Sequence, residues 1–277
     1  MRVNSCILSV IFLTASVPSV CFAWTVAADF EDLDPGEQID SEYISGFSGT
    51  SVTSKKSVSG TQSAQMSINQ GATGWGKWGA VINYPSQLKQ QDELWFRVNA
   101  YFPKGFDYDA QPWLKFLRLH TLKTNGDNGG YVDWYIDNEN SEIPFRWIYE
   151  GEQQWEEFGS STDRIKRGRW ASYEMYVKFD STPASEGGNA VVRLWKNGDL
   201  LKEINDRITL ENDKMTSEKA LIFTWWNQGA PKTQKMYIDD VRLTTETPSA
   251  YDEQGNPMIG TGNVATPPSP PTNLRIE

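Results

Sequence analysis

What most constrains this chain is a succession of short segments in which apolar and polar residues alternate, each closed by Gly, Pro, Asn or Asp. A period of two puts successive side chains on opposite faces of an extended strand, so each segment reads as a strand with one face inward. The pattern predicts strands at Ser63–Ile68, Glu93–Phe102, Leu114–Thr121, Tyr131–Ile136, Phe145–Tyr149, Ala171–Phe179, Ala190–Lys196, Ala220–Trp226 and Lys235–Thr244. Between them lie Asn125–Gly130, Ser181–Gly188 and the Asn197–Gly198 turn. No block keeps a helical period, and Thr209–Ala220 has room for a short helix or an irregular loop at most. Many short strands at this spacing predict an all-β, two-sheet antiparallel β-sandwich of the jelly-roll type.

The flanks read differently. Residues 1–23 resemble an export signal: Arg2 is the only charge before Asp29, an apolar run follows, and small residues precede a cut after Ala23. The apolar run is too short to span a bilayer, and a secreted, extracellular or periplasmic protein without a membrane anchor is expected. Both cysteines, Cys6 and Cys21, fall in that segment, which leaves the remainder without disulfides, thiol nucleophiles or thiolate-bound zinc. Residues 24–246 are expected to form one jelly-roll domain acting as a monomer, and the Pro- and Gly-rich residues 247–277 a linker or loose tail.

Without Arg2 the chain carries 25 basic and 36 acidic residues, a net charge of −11. Such a surface repels phosphate backbones, so nucleic acid is not an expected partner. The cations Lys115, Arg118, Arg146 and Lys178 nonetheless fall on strands, which predicts one locally basic face and a partner such as an acidic polysaccharide.

Five segments resemble the concanavalin A-like polysaccharide lyases of the alginate and glucuronan type. They are Asp92–Phe106, Trp113–Arg118, Gly168–Lys178, Val192–Gly198 and Tyr237–Leu243. The last two recur in sugar-binding modules and support the fold more than an activity. The chain lacks the Arg-x-Glu-Leu-Arg and Gln-Ile-His or Gln-Val-His runs of the better-known alginate lyases, and the Glu-x-Asp-x-Glu run of jelly-roll glucan hydrolases. The resemblance implies β-elimination on a uronate glycan with no cofactor required. A non-catalytic carbohydrate-binding or adhesion domain is the alternative.

Such elimination needs a group to neutralise the uronate carboxylate, a base for the α-proton and an acid for the leaving oxygen. On the strand from Trp113, strict alternation sets Arg118 and His120 on one face and Lys115, which matches the lyase lysine, on the other. Only a bulge would bring the three together. Tyr131 and Tyr135 alternate with Val132 and Trp134 and are candidate acids, as is Tyr149. Arg146, Trp147, Lys178, Trp225, Trp226, Asn227 and Gln228 are candidate sugar contacts, one ring of the Trp225–Trp226 pair pointing inward; Trp75 and Trp78 form a weaker platform. A structural calcium ion would take Glu31 or Asp29 together with Asp239 or Asp240.

Overall fold

The computed structural model describes residues 23–108, 113–137 and 141–262, so the expected signal segment lies outside them except for Ala23. Its strands in chain order are β1 (Thr25–Ala28), β2 (Ile44–Gly46), β3 (Thr50–Thr53), β4 (Ser63–Ile68), β5 (Ala80–Leu88) and β6 (Glu93–Tyr101). There follow β7 (Leu114–Leu122), β8 (Asn128–Ile136), β9 (Phe145–Tyr149), β10 (Gln154–Phe158), β11 (Trp170–Lys178) and β12 (Val191–Lys196). The last are β13 (Asp199–Ile204), β14 (Thr216–Trp226), β15 (Gln234–Thr244), β16 (Ala250–Tyr251) and β17 (Pro257–Met258). Helical structure among the described residues amounts to two 3₁₀ turns, Ser161–Asp163 and Ala184–Glu186.

Two antiparallel sheets form the expected jelly-roll sandwich. Sheet I runs β13-β12-β11-β6-β15-β4-β3, with β1 also on β15, and sheet II runs β10-β9-β8-β7-β14-β5-β2. Every strand predicted from alternation is present, and Phe145–Tyr149 and Ser63–Ile68 match residue for residue. Thr209–Ala220 is an irregular loop and then the start of β14. Strand β5 was not legible because Pro85 interrupts it. The strand tolerates that proline because its pairing with β2 ends at Ile82 and, on the β14 side, Pro85 falls in the register break between the Leu88–Ser217 and Asn83–Lys219 pairs.

The core between the sheets is dense in aromatic rings. Phe116 of β7 packs against Phe223 at 4.5 Å, Tyr173 at 4.9 Å and Trp134 at 5.7 Å, joining both sheets. Here two strands lose register. In β7 the residues facing Tyr135 and Trp134 are Lys115 and Leu117, leaving Phe116 as an extra residue. In β14, Phe223 and Thr224 intervene between the partners of Leu117 and Lys115, and Phe223 has a φ of 52°, a costly conformation for a bulky residue.

The C-terminal segment, expected as a linker or loosely docked tail, is docked on the sandwich. As far as Gly262 it lies on the outer face of sheet I, over Trp95, Tyr176 and Trp195, with Met258 and Ile259 packed on them. The indoles of Trp95 and Trp195 donate to the Pro257 carbonyl (3.0 Å) and to Asp252 (2.8 Å). Glu174 accepts the Ile259 and Gly260 amides at 2.6 and 3.0 Å. Pro and Gly here shape a strap whose few apolar side chains find an aromatic seat. Residues 263–277 lie outside the described residues.

Ending the chain at residue 246 should therefore bare three aromatic rings and strand the Glu174 carboxylate. A cost of about 3–5 kcal/mol is expected, a fall in Tm of roughly 10 °C. An unchanged calorimetric Tm would show that the strap contributes nothing.

Candidate active-site groove

The bulge at Phe116 decides what the outer face of sheet II presents. With Phe116 turned into the core, Lys115 joins Arg118 and His120 on the outer face, which strict alternation forbids. On β14, Trp225 stands outside in phase with Lys219 and Leu221, while Trp226 enters the core and stacks on Trp78 at 5.8 Å. Arg146, Tyr135, Lys115 and Trp225 then stand abreast across β9, β8, β7 and β14. The next rows along are Ile148, Asp133, Arg118 and Leu221, then Tyr131, His120 and Lys219.

Glu150, at the end of β9, reaches into this array. It pairs with Lys115, accepts the Tyr135 hydroxyl proton at 2.6 Å, and lies 3.6 Å from an Arg118 nitrogen. Arg118 is almost wholly buried. Its Nε donates to Asp133 at 3.0 Å, another nitrogen donates to Thr224 at 3.3 Å, and its guanidinium lies 3.7 Å over the Tyr131 ring. His120 approaches Glu218 through Nδ1 at 3.0 Å and Asn128 through Nε2 at 3.1 Å.

These neighbours set the protonation states. Burial works against the charge on Glu150, but Lys115 and Arg118 outweigh it and hold its pKa below the usual glutamate value. Burial, then the charges of Asp133 and Glu150, push the Tyr135 hydroxyl far up, so Tyr135 keeps its proton. Burial and Lys219 lower His120, against the pull of Glu218 and Asn128. A neutral His120 has one N–H for two oxygens; giving it to the Glu218 carboxylate leaves the Nε2 lone pair against the Asn128 carbonyl oxygen, which also accepts the Gly130 amide, and so favours Asn128 turning away. Asp133 is fully buried, which raises its carboxyl to about 7 against the pull of Arg118.

A cleft of about 400 Å³ opens over this array, lined by Lys115, Tyr135, Glu150, Asn128, Trp155 and Asn227 among others. At one end Trp113 lies 5.3 Å from Trp155 and is nearly parallel to Tyr135 at 6.2 Å, with Arg146 5.0 Å over its face. At the other, the β7–β8 and β9–β10 turns approach so closely that a Cβ on Gly130, at φ +110°, would meet the Gly151 nitrogen at 2.8 Å.

Lys115, Arg118, His120, Tyr131, Tyr135, Arg146 and Trp225 thus share one face, and Asn227 lines its cleft. Other expectations are corrected. Tyr149 and Trp147 are wholly buried, because on β9 they alternate with the outward Arg146, Ile148 and Glu150. Trp226 and Trp78 are core rings, Gln228 is exposed away from the cleft lining, and Trp75 stands apart on Phe47. Lys178 lies in the other sheet, 3.6 Å from Glu93. Nor is the face a free basic surface: Lys115, Arg118, Arg146 and Lys219 face Glu150, Asp133, Asp137, Glu157 and Glu218.

The carboxylates expected at calcium instead hold the loop before β4. Glu31 accepts the Thr61 and Gln62 amides at 2.9 and 2.8 Å, Asp239 the Val58 amide at 2.8 Å, and Asp240 the Ser59 hydroxyl at 2.8 Å. No group of three or more His, Cys, Asp or Glu that could hold a metal ion occurs among the described residues. Sequence reading missed Glu150, Trp113 and Trp155 as site residues. The outward position of Glu150 beside Arg146 was legible in the alternation, whereas its partners depend on the bulge.

Neither a protein-family model nor a curated protein matches the sequence. Solved structures do match. An alginate lyase, Aly36B, in complex with alginate trisaccharide superposes with a TM-score of 0.59 at 13% identity, over 79% of this chain and 97% of that one. An endo-β-1,4-glucuronan lyase from the fungus Trichoderma reesei gives 0.53 at 12% identity, over 74% and 91%. A marine alginate lyase from Aplysia kurodai gives 0.52 at 11%, over 70% and 86%. The chain has the jelly-roll fold found in alginate and glucuronan lyases. At these identities the likeness is one of fold.

Three buried carboxyls give a pH signature. Burial raises Asp133, Glu174 and Asp239 each to about 7, against unfolded values near 4. The stability each contributes is present in full below the unfolded pKa and is lost as pH rises through about 7. From about pH 5 to about pH 8, Asp133→Asn should therefore lose less Tm than the parent protein. Parallel melting curves for the two proteins would place the Asp133 proton elsewhere.

Proposed function

We propose that this protein is a secreted polysaccharide lyase that cleaves a uronate-containing glycan by β-elimination in the groove of sheet II. The observation that carries the reading is the bulge at Phe116, which sets Lys115 on one face with Arg118, His120 and Tyr135, where Lys115 and Tyr135 line a cleft. The fold shared with alginate and glucuronan lyases supports the substrate class. The export-like segment at residues 1–23 supports secretion.

In this reading Lys115 and the outer nitrogen of Arg118 draw the uronate carboxylate and offset the charge that grows on it as the α-proton leaves. His120 takes that proton. Its depressed pKa leaves it neutral, Glu218 fixes the tautomer, and Nε2 reaches the cleft once the Asn128 side chain turns aside. Tyr135 retains its proton and donates it to the departing glycosidic oxygen. Trp225, Trp113 and Trp155 offer flat faces to neighbouring sugar rings, and Asn227 offers an amide to their hydroxyls.

The reading divides the kinetic parameters. His120→Ala should lower kcat by about two orders of magnitude, whereas Lys115→Ala should act mainly through KM. The assay follows ultraviolet absorbance of unsaturated ends released from alginate and glucuronan. The rate should also climb with pH through a pKa below the ordinary histidine value and level off near neutrality, a limb that His120→Ala removes. Full activity in His120→Ala with loss of kcat in Lys115→Ala would move the proton transfer to Lys115. Glycan binding by the native protein without any unsaturated product would leave a carbohydrate-binding domain instead.

A further inference from the structure

Glu150 is the side chain that an acidic-glycan groove does not need. A uronate entering the cleft must find cations, yet the two that front the site are already turned toward this carboxylate. One Glu150 oxygen takes both the Lys115 ammonium and the Tyr135 hydroxyl, and the other faces Arg118 at 3.6 Å. Two cations converging on a single carboxylate are the donor set that would hold a sugar acid. Glu150 is not locked in place: its side chain is 21% exposed, it borders the cleft, and Gly151 follows it. Arg118, by contrast, is held from behind by Asp133 and Thr224, so that guanidinium stays in position when Glu150 leaves.

We infer that Lys115 and Arg118 form a carboxylate receptor that Glu150 fills in the free protein and that a uronate carboxylate takes over on binding, which frees the Tyr135 hydroxyl for the leaving oxygen. The inference rests on the proposed acidic-glycan reading and names the contact by which such a substrate is recognised. Glu150 then acts as a selectivity filter. A neutral glycan has no group that competes for the donors, leaves Glu150 where it is, and gains nothing from them. An acidic glycan exchanges one carboxylate for another, so the charge count beneath the sugar stays balanced.

The test measures binding rather than turnover. Tryptophan fluorescence, recorded on mixing and before product forms, follows titration with mannuronate, guluronate and glucuronate tetrasaccharides. The same sugars with their carboxyl groups reduced to alcohols are the neutral controls. Glu150→Gln should bind the acidic tetrasaccharide that suits the groove about tenfold tighter than the parent and the reduced one equally well. Lys115→Met added to Glu150→Gln should erase the gain. Glu150→Asp keeps the charge but draws it back by one methylene, and should show a smaller gain in the same direction, which keeps the test open if the glutamine variant does not fold. Unchanged or weaker acidic binding in folded Glu150 variants would overturn the inference even if the protein is a lyase. Tighter acidic binding with no unsaturated product from the parent would retain the receptor and discard the lyase.

Discussion

Phe116 and Phe223 meet at 4.5 Å where β7 and β14 both lose register. Burying both rings in one spot requires each strand to turn consecutive residues inward, Phe116 with Leu117 and Ile222 with Phe223. The left-handed backbone at Phe223 is the local cost, and the aromatic packing around it offsets that cost. The composition of the outer face follows on β7, where Lys115 comes to stand with Arg118 and His120. With both strands unbulged, the cations would be divided between core and solvent.

The groove holds its charges in pairs. A carboxylate sunk to 0% exposure beneath Arg118 keeps that guanidinium in place, and Tyr131 covers its face. Cations so held are rigid and dry, which strengthens their attraction for an anion and removes the cost of gathering them. The same pairing keeps the whole face from being attractive to any polyanion. A chain of net charge −10 can thus carry a site for an acidic sugar without a basic patch.

The opposite face of the molecule is closed by different means. Trp95, Tyr176 and Trp195 would leave sheet I with an exposed aromatic surface, and the strap through Gly262 covers it. Its hydrogen bonds run to Glu174, Arg97 and two indoles, so polar groups fix the strap's register while a few apolar contacts supply the burial. Two sheets of similar composition therefore end differently, one sealed by its own chain and one open as a cleft.

Alternation along the chain determined the class of fold, because period two persists through most strands and is the pattern a half-buried strand requires. It also set Tyr131 with Tyr135 on one face, Arg146 opposite Trp147, and Arg118 with His120, since within an unbulged stretch side-chain direction depends only on parity. Parity failed at Phe116. A bulge inverts the face of everything beyond it and is chosen by packing against rings on other strands, Trp134 and Tyr173 among them. For the same reason Glu150 could be seen to point outward from its place beside Arg146, while the ammonium, hydroxyl and guanidinium it meets come from β7 and β8. The strap was hidden likewise: composition marked residues 247–277 as unable to build a core, but only sheet I could show the aromatic surface on which residues as far as Gly262 come to rest.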